Sequence, residues 1–376
     1  MNILIVKLSA IGDVIHTLPA LACLRRCYPE AHITWVVEEA AADLLTNHPA
    51  IDQVLVSRRK SWIRDLRRGR IAAPLREMHQ FLRQLRGRPY DLVIDFHGLL
   101  KSAVLVLLSG GRRKLGYDSL QEGSGFFYTE RIPEDMGKHA VDRYLDFIRY
   151  LAAESGCGRK ESDCLSAAPL FTIAIGERER NRVAALLAEG EALFGAGSGE
   201  GGEGTSKAGK KGQGRFVAVN PVAFWETKLW ENGKFASLCD RLHEELGIGI
   251  VLTGGEAAPL ERIRGQMRTK ALALGGRTTL RDLALLYRRA ALVITTDSGP
   301  MHLAAAVGTP VIALFGPTDP ARTGPYGPGH RVIRRPLPCL PCFKKHCETK
   351  RCMREIAVEE VFAAAKEMLE TKGEGK

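Results

Sequence analysis

The sequence predicts an α/β protein made of two consecutive, doubly wound parallel sheets. Three observations carry this. Short apolar runs at residues 3–8 (interrupted by Lys7), 33–37, 92–96, 216–219, 292–295 and 311–315 alternate with helical periodicity, as strands covered on both faces do. Several of these runs end in glycine-bearing or polar turns that open helices, the layout of βαβ units with right-handed crossovers. Between residues 192 and 214 the composition changes sharply to Gly, Ser, Glu and Lys. That stretch cannot bury enough apolar surface to order itself and reads as a flexible linker.

The elements follow in order. After the first strand, residues 9–13 form a turn, and Val14, Leu18, Leu21 and Leu24 mark one helical face; Pro19 is expected to kink this helix or shift its start. A strand at 33–37, a helix at 40–45, a strand at 53–56, a helix at 74–85 and a strand at 92–96 complete the first series. Strands at 216–219, 248–252, 292–295 and 311–315 form the second, with a last helix at 358–369 carrying Val361, Phe362, Ala365 and Met368 on its apolar face. The expected domains are 1–172, a helix plus linker at 173–215, 216–352 with a Cys-rich segment at 339–352, and a C-terminal helix at 353–376 packing back on the first domain. Two such sheets imply an interdomain cleft, where ligands commonly bind.

Composition narrows the function classes. With 45% hydrophobic and 26% charged residues, the 376-residue chain has a globular composition. No stretch approaches the roughly 20 apolar residues of a spanning helix. The first residues lack the pattern of a secretory signal. The nine cysteines, an odd number, do not read as a disulfide scaffold, so a cytoplasmic protein is expected. Fifty-four Lys and Arg against 43 Asp and Glu give +11, which suits an anionic partner. The surplus is local: residues 58–70 hold seven bases and one acid, residues 331–354 hold eight and one, and the rest is near neutral.

Four features could carry chemistry. In the turn at residues 7–16, Asp13 opens a helix, either as its cap or as a general base whose ionised form the helix dipole favours. Neither a Gly-rich dinucleotide fingerprint nor a Walker lysine is present, which disfavours a nicotinamide-dependent oxidoreductase. The run Thr295-Thr296-Asp297-Ser298-Gly299-Pro300-Met301-His302 leads from a strand into an Ala-rich helix, with Pro300 suited to the first turn. The N–H groups of Gly299, Met301 and His302 form a candidate phosphate site, against the plainer reading of a capped helix. On the same predicted rim lie Thr227-Lys228, the turn Thr253-Gly254-Gly255-Glu256, and Gly316-Pro317-Thr318-Asp319-Pro320, together pointing to a nucleotide-diphosphate pocket. The basic run at 58–70 includes Trp62, which suits contact with phosphates at a lipid surface; no recognised nucleic-acid module accompanies it. Finally, Cys339, Cys342, Cys347 and Cys352 are candidate metal ligands, with His346 as a competitor and four reduced structural thiols as the alternative.

Taken together, KLSAIGDVIHTLPAL, WVVEE, DFHGLLKSA, KHAVDR, TKLW, TDSGPMHLAAAVGTPVIALFGPTDP and Tyr326-Gly327 resemble the ADP-heptose:lipopolysaccharide heptosyltransferases of glycosyltransferase family 9. The first hundred residues are most similar to the heptosyltransferase I branch, whereas the Cys-rich tail is more similar to the heptosyltransferase II branch. The resemblance implies a GT-B architecture of two Rossmann-like domains facing a cleft, acceptor side first and nucleotide sugar second. It implies inverting, metal-independent transfer of heptose from ADP-heptose to the Kdo of lipid A, without cofactor, at the cytoplasmic face of the inner membrane. Asp13 matches the catalytic carboxylate. Thr227, Lys228, Gly254, Gly255, Glu256, Asp297, Ser298, Gly299, Met301 and His302 match the donor side, Asp297 being expected to cap its helix or bind the sugar. Ser9, Gly12, Arg58, Arg59, Lys60, Arg64, His97, Lys101, His139 and Arg143 match the acceptor side. The competing non-enzymatic reading is a lipid- or RNA-binding module centred on the basic run.

Overall fold

Strand β1 (Asn2–Val6) is the centre of the first unit, residues Met1–Ala174, because apolar side chains on both its faces demand cover from both sides. It is joined by β2 (His32–Glu38), β3 (Gln53–Ser57), β4 (Leu92–Asp95), β5 (Arg113–Tyr117) and β6 (Glu130–Ile132). The order is β3-β2-β1-β4-β5-β6 and every pairing is parallel. Ile3, Leu4 and Ile5 are fully buried, each such side chain contributing about 1.5–3 kcal/mol. The computed structural model describes residues 1–119, 121–155, 169–195 and 215–371. Most of the expected linker, residues 196–214, lies outside them.

The second unit, Ile175–Lys376, repeats the plan. Its strands are β7 (Phe216–Asn220), β8 (Gly249–Leu252), β9 (Leu272–Ala273), β10 (Leu292–Thr296), β11 (Val311–Phe315) and β12 (Arg331–Arg334), ordered β12-β11-β10-β7-β8-β9 and parallel throughout. In each sheet the order reverses beside the first strand: β1 lies between β2 and β4, and β7 between β8 and β10. Ligands of open α/β sheets bind outside the carboxyl ends of strands at such switch points. These fall after Val6 and Asp95 in the first unit, and after Asn220 and Thr296 in the second.

Some expectations need correction. The helix Ile11–Cys27 runs through Pro19, so the proline does not move its start. Strands β5, β6, β9 and β12 were not expected; three carry charged residues and β9 has only two residues, which hides them from a search for apolar runs. The last helix, Val358–Thr371, was expected to return to the first domain. Its buried Val361, Phe362, Ala365 and Leu369 belong instead to the core of the second unit, beside the helix Asn232–Leu246. Cys23 is engaged in a disulfide, which the cysteine count did not anticipate.

Candidate active site

At the first switch point the chain leaves β1 through Lys7, Leu8 and Ser9 and enters the helix Ile11–Cys27 with Asp13 in its first turn. Asp13 Oδ2 accepts a hydrogen bond from the Ala10 backbone N–H at 2.9 Å, so the carboxylate does cap its own helix, and Oδ1 is left out of that bond. Beneath it, Lys7 is only 3% exposed, and its Nζ donates to the Phe96 carbonyl (2.9 Å) and the Tyr144 hydroxyl (2.6 Å). Burial lowers the Lys7 pKa, and the charges of Asp13 and Asp95 oppose that fall. Sequence reasoning quoted Lys7 without giving it a role; the signal was a lone cation inside an apolar strand.

The β4 end faces the same point. Asp95 is fully buried; its Oδ1 accepts from the N–H groups of His97 (2.8 Å) and Gly98 (3.2 Å), and its Oδ2 accepts from the Tyr128 hydroxyl (2.7 Å). Gly98 has φ +70, a left-handed geometry that favours glycine in the sharp turn. This turn feeds the helix Leu100–Leu108, whose Lys101 Nζ donates to Ser9 Oγ at 3.2 Å, joining the two strand ends. His97 is held neutral, its pKa pushed down to about 2 by burial and by Lys7, Lys101 and Arg59. It is therefore a neutral ring here, not another cation. Burial also lowers the Lys101 pKa, with Glu38 opposing and Arg59 and Lys60 reinforcing. The His139 ring stands edge-on to His16 of the Asp13 helix, with centroids 5.1 Å apart. Arg143 is neutralised by Glu134 at 2.7 Å. Gly12 is buried in the first helical turn.

The basic run forms the helix Arg59–Arg67. Trp62 does not face solvent: it is 8% exposed, stacks edge-on to Phe81, and donates its Nε1 hydrogen to Glu77 at 2.9 Å. Its expected lipid contact is thereby replaced by a core anchor. Three of the expected acceptor cations in this run have carboxylate partners. Arg58 pairs with Glu39 and Glu77, and Arg59 and Lys60 both pair with Glu38. Burial alone would raise the Glu38 pKa, yet the hydrogen bonds from Lys60 and Arg59 hold it below the ordinary value. Glu38 thus ties the basic helix to the end of β2. Arg64 reaches Ser61 Oγ at 3.3 Å and stays exposed.

In the second unit the switch point gathers Lys228, Asp297 and Thr318. Asp297 does not cap the helix Gly299–Ala306. Ser298 occupies the cap position without a side-chain capping bond, its hydroxyl donating instead to the Thr296 carbonyl (3.2 Å), while Asp297 Oδ2 binds Lys228 Nζ (2.6 Å) and accepts from Thr318 Oγ1 (2.5 Å). Lys228 also lies 4.6 Å from the centroid of the Trp225 ring. The expected set of free amides is smaller than foreseen, because the Met301 N–H is donated to the Ser298 carbonyl at 3.1 Å. Met301 and His302 are themselves buried. Thr227 is buried and its hydroxyl donates to the Lys344 carbonyl (2.8 Å), so it holds a neighbouring segment. The Gly254-Gly255 turn meets a second glycine turn: the Gly276 N–H donates to the Gly254 carbonyl at 2.9 Å, and a Cβ on Gly275 would lie 2.4 Å from the Glu256 carbonyl oxygen. Glu256 is exposed just before the helix Ala257–Arg264.

The four candidate thiols share a neighbourhood, since Cys352 feels the charges of Cys339, Cys342 and Cys347. Among the described residues, however, no group of three or more His, Cys, Asp or Glu is arranged to hold a metal ion. Nor is any helix among them long and apolar enough to cross a membrane.

Comparison with known proteins bears on this geometry. The sequence profile of glycosyltransferase family 9 (heptosyltransferase) matches residues 78–353. Lipopolysaccharide heptosyltransferase 1 of Pseudomonas aeruginosa is 32% identical over 359 residues, 92% of this chain and 87% of the relative. Its Escherichia coli K12 namesake is 29% identical over 344 residues, 89% and 94% of the two chains. Among solved structures, the E. coli heptosyltransferase WaaC with ADP superposes with a TM-score of 0.70 at 25% identity, covering 98% of this chain and 100% of that one. A family 9 glycosyl transferase from Veillonella parvula superposes at 0.76 and 24% identity, covering 98% and 97%.

Proposed function

Because the chain belongs to glycosyltransferase family 9, the heptosyltransferases, we propose that it transfers L-glycero-D-manno-heptose from ADP-heptose to the Kdo of the lipid A inner core. The transfer inverts the anomeric carbon, with Asp13 as general base. The observation that carries the reading is the placement of Asp13 at the first switch point, with one carboxylate oxygen fixed by Ala10 and the other outside that bond. The fixed oxygen orients the group. Oδ1 takes the proton of the acceptor hydroxyl as that oxygen attacks the anomeric carbon, and ADP leaves from the opposite face with the bonding electrons.

Charge then develops on the leaving diphosphate. Lys228, aimed by Asp297 and Trp225, supplies a preoriented cation for it. The acceptor carries carboxylates and phosphates, which suits Lys101 and the Arg59 and Lys60 side chains bound to Glu38. Such an acceptor sits at the cytoplasmic face of the inner membrane, where a peripheral enzyme meets it.

The test is transfer assayed with ADP-heptose against Kdo-lipid A and against its heptosylated form. Product with the first acceptor and none with the second is expected; product with the second alone would move the chain to a later step of the core. The Asp13→Ala variant is expected to lose transfer by at least 10²-fold while binding ADP as before. Undiminished turnover would remove Asp13 from the role of base.

A further inference from the structure

The Cys-rich segment was the part of the sequence that the function left unexplained, and it docks on the second switch point. The N–H groups of Cys342 and Phe343 both donate to the Pro317 carbonyl, at 3.0 and 2.9 Å. One residue on, the Lys344 carbonyl accepts the Thr227 hydroxyl at 2.8 Å. Pro317 follows β11 and precedes Thr318, which binds Asp297; Thr227 precedes Lys228. The backbone of residues 342–344 is thus pinned to both loops that hold the Lys228–Asp297 pair. Behind it, a Cβ on Gly316 would fall 2.9 Å from Met353 Sδ and 3.1 Å from the Thr227 carbonyl oxygen, so the approach is close.

This pinning sets the position of Lys345. Its Nζ lies 5.6 Å from the centroid of the Trp225 ring, the ring that Lys228 approaches at 4.6 Å. At most about 10 Å therefore separates the two ammonium groups. Their electrostatic situations differ. Lys228 is neutralised by Asp297 at 2.6 Å, whereas among the described residues no carboxylate pairs with Lys345, which is exposed. An incoming diphosphate carries more than one negative charge, and the Lys228–Asp297 pair offers it little net positive charge. Lys345 is a cation beside the pair that, among the described residues, has no carboxylate of its own.

We propose that Lys345, presented by the Cys-rich segment, is a second diphosphate-binding lysine of the donor site, acting beside Lys228 across Trp225. The inference rests on the reading of this switch point as the nucleotide-sugar site. It is tested by measuring calorimetrically the affinities of full-length wild type, Lys345→Gln, Lys345→Arg and, as a control for net charge, Lys366→Gln. The probes are ADP and adenosine. Lys345→Gln is expected to weaken ADP about tenfold at low salt, with the deficit shrinking as ionic strength rises. Adenosine binding should not change, Lys345→Arg should retain most of the ADP affinity, and Lys366→Gln should match wild type. In turnover, the ADP-heptose KM should rise while the acceptor KM stays put. Unchanged ADP affinity in Lys345→Gln, or an equal loss for ADP and adenosine, overturns the inference while leaving the donor-site reading intact. Failure of the wild type to bind ADP overturns both.

Discussion

Breaking the Lys228–Asp297 pair is the most direct probe of the second switch point. The two side chains are 15% and 4% exposed and meet at 2.6 Å. Removing one partner of such a pair leaves a buried charge uncompensated, at about 3–5 kcal/mol. In Lys228→Met the remaining Asp297 keeps the Thr318 hydrogen bond, which places the loss near the lower end, about 3 kcal/mol. For a unit of this size 1 kcal/mol moves the midpoint by about 2–4 °C, so a drop of about 6–12 °C is expected. Asp297→Asn should fall comparably, because it strands the Lys228 ammonium. The double variant should lose about 4 kcal/mol, less than the sum of the two single losses by a coupling of about 2 kcal/mol. The assay is calorimetric unfolding of the four proteins, with and without ADP at 100-fold its Kd. Saturation at that level stabilises the wild type by about 2.7 kcal/mol, a gain that Lys228→Met should largely forfeit. Strictly additive single losses would refute the idea that the pair is one electrostatic unit. A full ADP-induced gain in Lys228→Met would refute its place in the donor site.

Three further outcomes are expected. Burial lowers the His48 pKa to about 4, below its unfolded value, so the native protein holds the ring neutral while the unfolded chain takes up a proton below about 6.5. Its contribution is complete above pH 6.5 and is lost as pH falls toward 4, by up to about 1.4 kcal/mol per pH unit; urea midpoints of wild type and His48→Gln at pH 7 and pH 5 should converge at the lower pH, and parallel lines would exclude this group. Trp62→Ala removes the Phe81 contact and the Glu77 hydrogen bond and should destabilise the first unit by about 3–5 kcal/mol in thermal unfolding, whereas an unaffected midpoint would return Trp62 to the surface. Reversing Arg59 and Lys60 to Glu should raise the acceptor KM at least tenfold and leave ADP affinity unchanged if these cations, which pair with Glu38 at the end of β2, meet the acceptor as proposed; equal losses for donor and acceptor would indicate a folding defect.

The interior strands were legible because burial on two faces leaves an unbroken apolar signature, as at residues 3–6 and 311–315. The edge strands were not. Arg331-Val332-Ile333-Arg334 needs charge at its exposed edge for the same reason that it escapes an apolar search. The positions of the candidate residues on strand-end turns were also legible, since Asp13, His97 and Lys101 stand where the chain must leave the sheet. What the sequence could not display is who neutralises whom. Glu38 and Arg59 are twenty-one residues apart, Lys228 and Asp297 sixty-nine, and both pairs form only once parallel pairing brings distant strand ends together. Asp297 reads as a helix cap locally because Asp caps helices well; a half-buried lysine across the switch point is its partner instead of the backbone amides.

The same logic revises the meaning of the charge surplus. Much of the second basic segment is consumed by acids that the composition counts elsewhere: Arg331 by Glu367, Arg335 by Glu360, Arg351 by Glu355, and Lys350 by Glu226. These pairs fasten the segment to the last helix and to the loop before Lys228, so most of its local excess is structural attachment. In the first segment Arg58, Arg59 and Lys60 are likewise held by Glu38, Glu39 and Glu77, while Arg64, Arg67 and Arg68 remain exposed. Exposed pairs are each worth little to stability, about 0–1 kcal/mol. Their consequence is positional: they fix where the remaining cations stand. A basic module binding through diffuse charge would have no use for that fixation. An enzyme that must set one hydroxyl and one diphosphate in register does.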